Sequence, residues 1–128
     1  MSLNIYHEAR NESTAGQVAV GQVVLNRVHS SRFPATVCAV VHQGEHQGGF
    51  PTRNRCQFSW YCDGQHDVPT NIRAFNKSTE IAQWLLVTQR WLPDLTDGSL
   101  FYHADYVDPW WSETKQRMLR TDQHIFYK

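Results

Sequence analysis

One short segment near the beginning of the chain is dense in side chains that can transfer protons. Tyr6-His7-Glu8-Ala9-Arg10-Asn11-Glu12 holds two carboxylates, a histidine and an arginine. A carboxylic acid that keeps its proton near neutral pH can protonate the leaving oxygen of a glycosidic bond. Apolar surroundings raise the pKa of such a group because they disfavour its charged form. Glu8, flanked by Tyr6 and followed closely by an apolar helix, is therefore the candidate general acid.

The helix that would position Glu8 follows at once. Four of its apolar residues share one helix face: Val20, Val23, Val24 and Val28. Thr14 and Gln17 have the spacing of a capping box, which predicts that the helix begins near Thr14. A rigid helix holds a reactive group in place, which a free loop does not do.

An ordinary solvated turn is the alternative interpretation of the same charged residues. Most charged side chains are simply exposed to solvent, and nothing in the sequence around Arg10 distinguishes it from such a residue. On a single helix face Glu8 and Glu12 would also repel each other slightly. The segment by itself does not show whether these residues form a solvated turn or a catalytic site.

A set of short motifs in a fixed order extends over nearly the whole chain. Besides the first segment they are Gly16-Gln17-Val18-Ala19-Val20, Val24-Leu25-Asn26-Arg27-Val28, Phe33-Pro34-x-Thr36-Val37-Cys38, Cys56-Gln57-Phe58-Ser59-Trp60, Phe101-Tyr102-His103-Ala104 and His124-Ile125-Phe126-Tyr127. Together they resemble the signature of the SleB/CwlJ-type cell-wall hydrolases, the spore-cortex-lytic enzyme family. One position departs, because the family usually has Gly where Asn11 stands. Asn tolerates left-handed backbone, so a tight turn at that point can survive the change.

The resemblance implies a lysozyme-like fold and cleavage of the peptidoglycan bond between N-acetylmuramic acid and N-acetylglucosamine. It also implies that Glu8 is the catalytic acid of a lytic transglycosylase. In that reaction the deprotonated Glu takes a proton from the muramic acid C6 hydroxyl, which attacks the anomeric carbon and gives a 1,6-anhydro product. The substrate N-acetyl group can stabilise the positive charge, so no protein nucleophile is needed. A conventional glycosidase would add a second carboxylate, for which Glu12 is the nearest candidate.

Other residues of the motifs are candidates for holding the substrate or supporting the acid. The substrate-binding candidates are Gln57, Ser59, Tyr102 and His103, which offer hydrogen bonds or an aromatic face. Core packing is the alternative role for His103. The supporting candidates are Arg10, Glu12 and Asn26. A direct ion pair between Arg10 and Glu8 would lower the pKa of the carboxyl and weaken its assignment as an acid.

Two functions of other classes stay open on the sequence. Cys38, His42 and His46 recur at helical spacing and could bind zinc, as in an amidase that cuts the muramoyl–peptide bond. The chain has no His-Glu-x-x-His or Cys-x-x-Cys motif, so we predict neither a metal nor a cofactor. The other alternative is a non-catalytic module that binds glycans through Trp and Tyr side chains, of which the chain has five each.

Composition limits the partners. Twelve basic and twelve acidic residues give a formal net charge of zero, so no basic excess favours a nucleic-acid partner. We expect peptidoglycan strands as the partner, no membrane span, and action at the cell wall, in the periplasm or outside the cell. The sequence shows no signal peptide, and we expect that an N-terminal helix present in the family is missing here. Oligomeric state is not predicted.

Residues 1–128 are predicted to form one α+β domain, mostly helical, with a small sheet. A second helix is predicted from Pro34 to His42, a loop over 43–55, a short strand over 58–61, a long helix over 71–91 and a terminal strand over 124–127. Three cysteines allow at most one internal disulfide, either Cys56–Cys62 or Cys38–Cys56, unless a partner lies outside this chain.

Overall fold

The computed structural model describes all 128 residues, which form four α-helices, two short 3-10 helices and five strands. The α-helices are α1 (Ser2–Ala9), α2 (Thr14–Val28), α3 (Val37–Val41) and α4 (Ile72–Thr88). The strands are β1 (Gly44–Gln47), β2 (Phe50–Cys56), β3 (Phe101–Ala104), β4 (Arg117–Thr121) and β5 (His124–Tyr127). The 3-10 helices are Ser59–Cys62 and Trp110–Thr114. The prediction of a mostly helical α+β chain with little sheet is confirmed.

Helix α2 is the centre of the core. Its predicted apolar face is buried, and burial extends almost all the way round the helix from Gly16 to Leu25. One side of α2 packs with Ile5 of α1 and Leu85 of α4. Another side packs with α3 and the segment around Phe58, and a third contacts Phe126 of β5. A helix surrounded in this way fixes α1 and the sheet relative to each other.

The first turn of α2 is tied to the sheet. Its N-cap is Ser13, one residue before the predicted start, and the Ser13 hydroxyl accepts the Gly16 N–H at 3.1 Å. Asp122, in the turn between β4 and β5, accepts hydrogen bonds from the Ser13 N–H at 2.9 Å and from its hydroxyl at 2.6 Å. A Cβ atom at Gly16 would collide with the Asp122 carboxylate. Only glycine therefore allows this close approach.

Three antiparallel strands in the order β3-β5-β4 form the sheet next to α2. Tyr102 lies opposite Phe126, and Ala104 lies opposite His124. Because side chains alternate along a strand, these four residues share the face that contacts α2. The terminal strand was predicted correctly, whereas β4, a short and polar segment, gave no signal in the sequence.

Several local predictions are wrong. The predicted loop over 43–55 is a hairpin of β1 and β2, whose strands are largely exposed and so lack apolar alternation. The predicted strand over 58–61 is the 3-10 helix Ser59–Cys62. Helix α3 begins after the N-cap Thr36 rather than at Pro34, and α4 ends at Thr88, three residues before the predicted end. Asn11 does not have the left-handed backbone that its glycine equivalent suggested.

A disulfide joins Cys56 at the end of β2 to Cys62 at the end of the 3-10 helix, and Cys38 is free and exposed. Of the two internal pairings that the sequence allows, the structure has the one with the shorter separation along the chain, six residues. The bridge closes a small loop that carries two of the substrate-binding candidates, Gln57 and Ser59. It therefore restrains the backbone on which these side chains stand.

We expect one reactive thiol per chain in folded, oxidised protein and three after reduction and denaturation, because only Cys38 is free. Thiol titration of the folded, oxidised protein and of the reduced, denatured protein measures both numbers. In a Cys38→Ser variant the folded, oxidised protein should give no signal. Three reactive thiols in folded, air-oxidised protein would show that the bridge does not form.

Candidate active site

Glu8 stands in the last turn of α1, a helix that is held firmly on both sides. The buried Asn4 side chain accepts a hydrogen bond from the Trp60 indole N–H at 3.0 Å. The hydroxyl of Tyr6 accepts the Asn71 N–H at 3.1 Å, which connects α1 to the start of α4. The predicted rigid support for Glu8 thus comes from α1 itself, which the sequence analysis did not identify as a helix.

Glu8 lies where two lobes of an open cleft meet. The large lobe, of about 420 Å³, runs towards Gln57, Ser59 and the loop after β3. The small lobe, of about 240 Å³, runs along the turn between α1 and α2. Five residues border both lobes: His7, Glu8, Ala104, Tyr106 and His124. A chain lying through the cleft would pass Glu8 near its middle.

Tyr102 holds the Glu8 carboxyl from the sheet side. Its hydroxyl donates a hydrogen bond to Glu8 Oε1 at 3.0 Å. Burial, and then the charge of Glu8, raise the pKa of Tyr102 well above its usual value, so the hydroxyl stays a donor. Tyr102, predicted to offer an aromatic face to a sugar, borders the large lobe, and its hydroxyl is used by Glu8.

Opposing effects act on the proton of Glu8. Burial raises the pKa of Glu8, while the hydrogen bond from Tyr102 and the positive charge of Arg27 act in the opposite direction. Burial has the largest effect, so the pKa lies above the usual value for a glutamic acid. Glu8 therefore has the property that a general acid near neutral pH requires.

Arg27 supplies a positive charge from beneath the site. The residue is 2% exposed, and its Nε donates to the Leu100 carbonyl at 2.7 Å. Its guanidinium carbon lies 4.8 Å from the ring centre of Phe33 and 5.2 Å from that of Phe58. Burial lowers the pKa of Arg27 to about 10, which leaves it charged at neutral pH. Arg27 makes no direct ion pair with Glu8 and acts on it through its field.

Two of the predicted supporting residues do not touch Glu8. Arg10 donates to the Tyr6 carbonyl at 3.3 Å and stands 4.8 Å over the Tyr6 ring, so the expected ion pair is not formed. Arg10 still borders the small lobe. Asn26 lies outside the cleft, where its Nδ2 contacts three acceptors in the loop before β3: Asp94 Oδ2, Thr96 Oγ1 and the Ser99 carbonyl. Asn26 supports the site only by holding the chain that leads to Tyr102.

The third supporting candidate, Glu12, borders the small lobe together with Glu8. Its side chain is 10% exposed, and its Oε1 lies 3.7 Å from Nδ1 of His124. Burial, followed by the neighbouring carboxylates of Asp122 and Asp105, raises the pKa of Glu12. Two carboxyl groups with raised pKa values therefore face the same lobe.

The remaining substrate-binding candidates stand along the large lobe. Gln57 and Ser59 are exposed there, on the loop closed by the disulfide. His103 also borders the lobe, but its Nε2 bonds to the Tyr127 hydroxyl at 2.8 Å and its Nδ1 to the Ala104 carbonyl at 2.7 Å. Because both nitrogens are used within the chain, His103 presents only its ring to the cleft.

Four further residues of the cleft were not among the candidates predicted from the sequence: His7, Tyr106, Trp111 and His124. Tyr106 is an exposed aromatic residue in the loop after β3, and Trp111 is partly buried in the second 3-10 helix. Neither loop has a periodic pattern that predicts where its side chains point. His124 was quoted only as part of a motif, although its position beside Glu12 is the more informative observation.

The alternative zinc site is not assembled. Cys56 and Cys62 are joined in the disulfide, and the His42 ring stacks on Tyr61 with centres 4.3 Å apart. No group of three or more His, Cys, Asp or Glu side chains lies together as metal ligands would. No helix has the length and apolar character needed to cross a membrane.

The sequence of the chain matches that of a known protein family. The model of the family described as Cell Wall Hydrolase matches residues 11–127, most of the chain. The chain belongs to the cell wall hydrolase family. The predicted family is confirmed. The matched range begins after Glu8, so it does not by itself assign that residue.

Relatives of the chain include spore cortex-lytic enzymes. That of Bacillus cereus is 31% identical over 130 residues, which cover 100% of this chain and 42% of that protein. That of Oceanobacillus iheyensis is also 31% identical, covering 100% of this chain and 40% of that protein. The chain thus spans about two fifths of the length of these relatives.

Two solved structures share the fold. One is the catalytic domain of the germination-specific lytic transglycosylase SleB from Bacillus anthracis, with a TM-score of 0.68 and 31% identity, covering 100% of this chain and 90% of that one. The other is the catalytic domain of the Bacillus cereus SleB protein, with a TM-score of 0.66 and 29% identity, covering 100% and 86%. The prediction of a lysozyme-like α+β fold is confirmed.

Replacing Glu8 by Gln should stabilise the folded chain at neutral and higher pH. As pH rises from the usual to the raised pKa of Glu8, the unfolded chain loses its proton first, and the folded state loses stability. A neutral Gln removes this dependence and still accepts the Tyr102 hydrogen bond. Melting temperatures should therefore show a gain for Glu8→Gln that is larger at about pH 8 than at about pH 4.

The matched control for this measurement is Glu80→Gln, because Glu80 is exposed on α4. Its effect on the melting temperature should not follow the same trend. A gain from Glu8→Gln that is equal at both pH values would contradict the burial of an ionisable carboxyl.

Proposed function

We propose that the chain cleaves the glycosidic bond between N-acetylmuramic acid and N-acetylglucosamine in peptidoglycan, as a lytic transglycosylase. The observation that carries the proposal is the Glu8 carboxyl, which has a raised pKa and lies where the two lobes of the cleft meet. The similarity to a structure described as a lytic transglycosylase supports it. The proposal includes that residues 1–128 form one catalytic domain, which acts on the wall in the periplasm or outside the cell.

The surroundings of Glu8 suit the first proton transfer. Burial keeps the proton on the carboxyl until the glycosidic oxygen is beside it. When the proton moves to that oxygen, the carboxylate left behind keeps its hydrogen bond from Tyr102 and feels the charge of Arg27. The site thus favours the acid before the transfer and tolerates the anion after it.

The second proton transfer returns Glu8 to its starting state. The C6 hydroxyl of the muramic acid unit gives its proton to the Glu8 carboxylate, and its oxygen bonds to the anomeric carbon. The bond to the leaving sugar has then broken, and the product carries a 1,6-anhydro ring. One carboxyl suffices, because the substrate supplies both the nucleophile and the N-acetyl group that stabilises the positive charge.

The two lobes offer room for sugars on either side of the cleaved bond. Gln57 and Ser59 can hydrogen-bond N-acetyl and hydroxyl groups in the large lobe. The exposed ring of Tyr106 stands between the lobes, and Trp111 borders the large one. Flat aromatic rings of this kind complement the apolar faces of sugars and give binding without charge, in accord with a net charge of zero.

Replacing Glu8 by Gln should lower the rate of wall cleavage by about 10²–10⁴-fold or more, because general acid–base catalysis by one group accelerates a reaction by about that factor. The clearing of a suspension of purified walls measures the rate, and a melting curve confirms folding. Glu80→Gln is the control and should keep full activity. Near-normal clearing by Glu8→Gln would favour an amidase instead, and no clearing by the native protein would favour a glycan-binding module.

The main product should carry 1,6-anhydro ends. Mass spectrometry of the released fragments, before and after borohydride treatment, measures this, since anhydro ends lack one water and are not reduced. Products cut between muramic acid and the peptide would instead identify an amidase. This assay identifies the type of reaction. The Glu8→Gln variant separately tests the role of Glu8.

A further inference from the structure

We propose that His124, oriented by Glu12, is a base that activates water in the cleft and gives the enzyme a second, hydrolytic activity beside transglycosylation. The inference rests on the proposed function, because Glu8 remains the acid in both reactions. It assigns a role to the one histidine of the cleft whose ring nitrogens both lack hydrogen-bond partners.

The position of His124 is the first observation. It lies on β5 opposite Ala104, is 5% exposed and borders both lobes of the cleft. Its Nδ1 is buried without a hydrogen-bond partner. Its Nε2 also bonds to nothing in the chain but is not among the buried atoms, so Nε2 is the nitrogen open to the cleft.

The second observation is the carboxylate behind the ring. Oε1 of Glu12 lies 3.7 Å from Nδ1 of His124, and their side chains are 10% and 7% exposed. A carboxylate facing Nδ1 favours the tautomer that carries its proton there, which leaves the lone pair of Nε2 for the cleft. The contact is longer than a hydrogen bond, and catalytic hydrogen bonds often tighten only when substrate binds.

The third observation is that His124 and Glu8 contact the same tyrosine from different sides. The hydroxyl of Tyr102 bonds to Glu8, and its ring meets the His124 ring edge-on with centres 5.1 Å apart. The two groups therefore contact one tyrosine, Glu8 at its hydroxyl and His124 at its ring, and both border the small lobe. That lobe, of about 240 Å³, is large enough to hold a water molecule.

The charges around His124 suit a base. Burial lowers its pKa most, and His103 on β3 acts in the same direction. Asp122 from the β4–β5 turn and Asp105 after β3 raise it, although Asp105 is paired with Arg120 at 2.7 Å. The net effect is a lowered pKa, so the ring is neutral and able to accept a proton near neutral pH.

The other two histidines of the cleft are engaged elsewhere. His7 bonds through Nε2 to the Asp67 carbonyl at 2.9 Å and stacks on Trp60 with ring centres 4.8 Å apart. His103 uses both of its nitrogens, as described above. Of the three histidines in the cleft, His124 is therefore the one that can act as a base.

The hydrolytic step balances without any further reactant. Water gives one proton to Nε2 of His124, and its oxygen bonds to the anomeric carbon of the muramic acid unit. The bond from that carbon to the leaving oxygen breaks, and the leaving oxygen takes the proton of Glu8. The imidazolium then returns its proton to the Glu8 carboxylate through solvent, and the product is a reducing sugar.

The test is the ratio of reducing to anhydro ends released from purified walls in heavy-oxygen water, measured by mass spectrometry. Native protein should give labelled reducing ends as a minor product, and their share should fall as pH falls through the pKa of His124. His124→Gln should lower the reducing product by about 10²-fold or more, leave the anhydro product within a few-fold, and remove the pH dependence of the ratio.

Three further variants separate a chemical role from a structural one. Glu12→Gln should lower the ratio less than His124→Gln does, because it only orients the ring. His124→Ala should regain labelled reducing ends when imidazole is added, which a purely structural defect would not do. His46→Gln is the control and should leave the ratio unchanged, because His46 is exposed on β1 and does not border the cleft.

The outcomes distinguish this proposal from the proposed function. Loss of both products in Glu8→Gln with an unchanged ratio in His124→Gln would overturn the role of His124 alone. Native protein without labelled reducing ends would do the same. If His124→Gln does not fold, the folded Glu12→Gln variant decides, because an unchanged ratio and pH dependence there would overturn the proposal. Full activity of Glu8→Gln would instead overturn the proposed function.

Discussion

The hydrogen bond between Tyr102 and Glu8 joins two parts of the chain that are 94 residues apart in sequence. It requires that α1 and β3 approach within bonding distance, and α2 packs both against Ile5 of α1 and against Phe126 and Tyr102 of the sheet. The apolar surroundings of α2 thus do more than stabilise a core. They set the distance between a carboxyl and a hydroxyl, on which the protonation of the site depends.

Burying Arg27 under this hydrogen bond has an energetic cost that packing only partly offsets. Its Nη1 is buried without a partner, and an unpaired polar atom of this kind lowers stability. Aromatic rings on Phe33, Phe58 and Phe101 surround the guanidinium and supply cation–π attraction instead of a carboxylate. A carboxylate partner would have cancelled the charge. The arrangement keeps an unpaired positive charge near Glu8, which favours the ionised form of this carboxyl.

The cleft shows the same balance between stability and function. Raised pKa values at Glu8 and Glu12 mean that both carboxylates, when ionised, destabilise the folded state. His124 adds a second buried atom without a partner, its Nδ1. Ionisable groups with shifted pKa values that border one cleft are the pattern expected where reactivity is maintained against stability.

The sequence alone determined the class of fold, the central helix, the terminal strand and Glu8 as the candidate acid. The helix follows from the periodicity of apolar residues within one element. The fold class and Glu8 follow mainly from the motifs that recur in order along the chain. Tertiary structure alone decided that Tyr102 donates a hydrogen bond to Glu8, that both ring nitrogens of His103 are hydrogen-bonded within the chain, and that the exposed segment over 43–55 is a hairpin. It also brought Glu12 to His124, 112 residues later. Such contacts depend on how elements pack, because side-chain direction across a cleft leaves no periodic trace in the sequence.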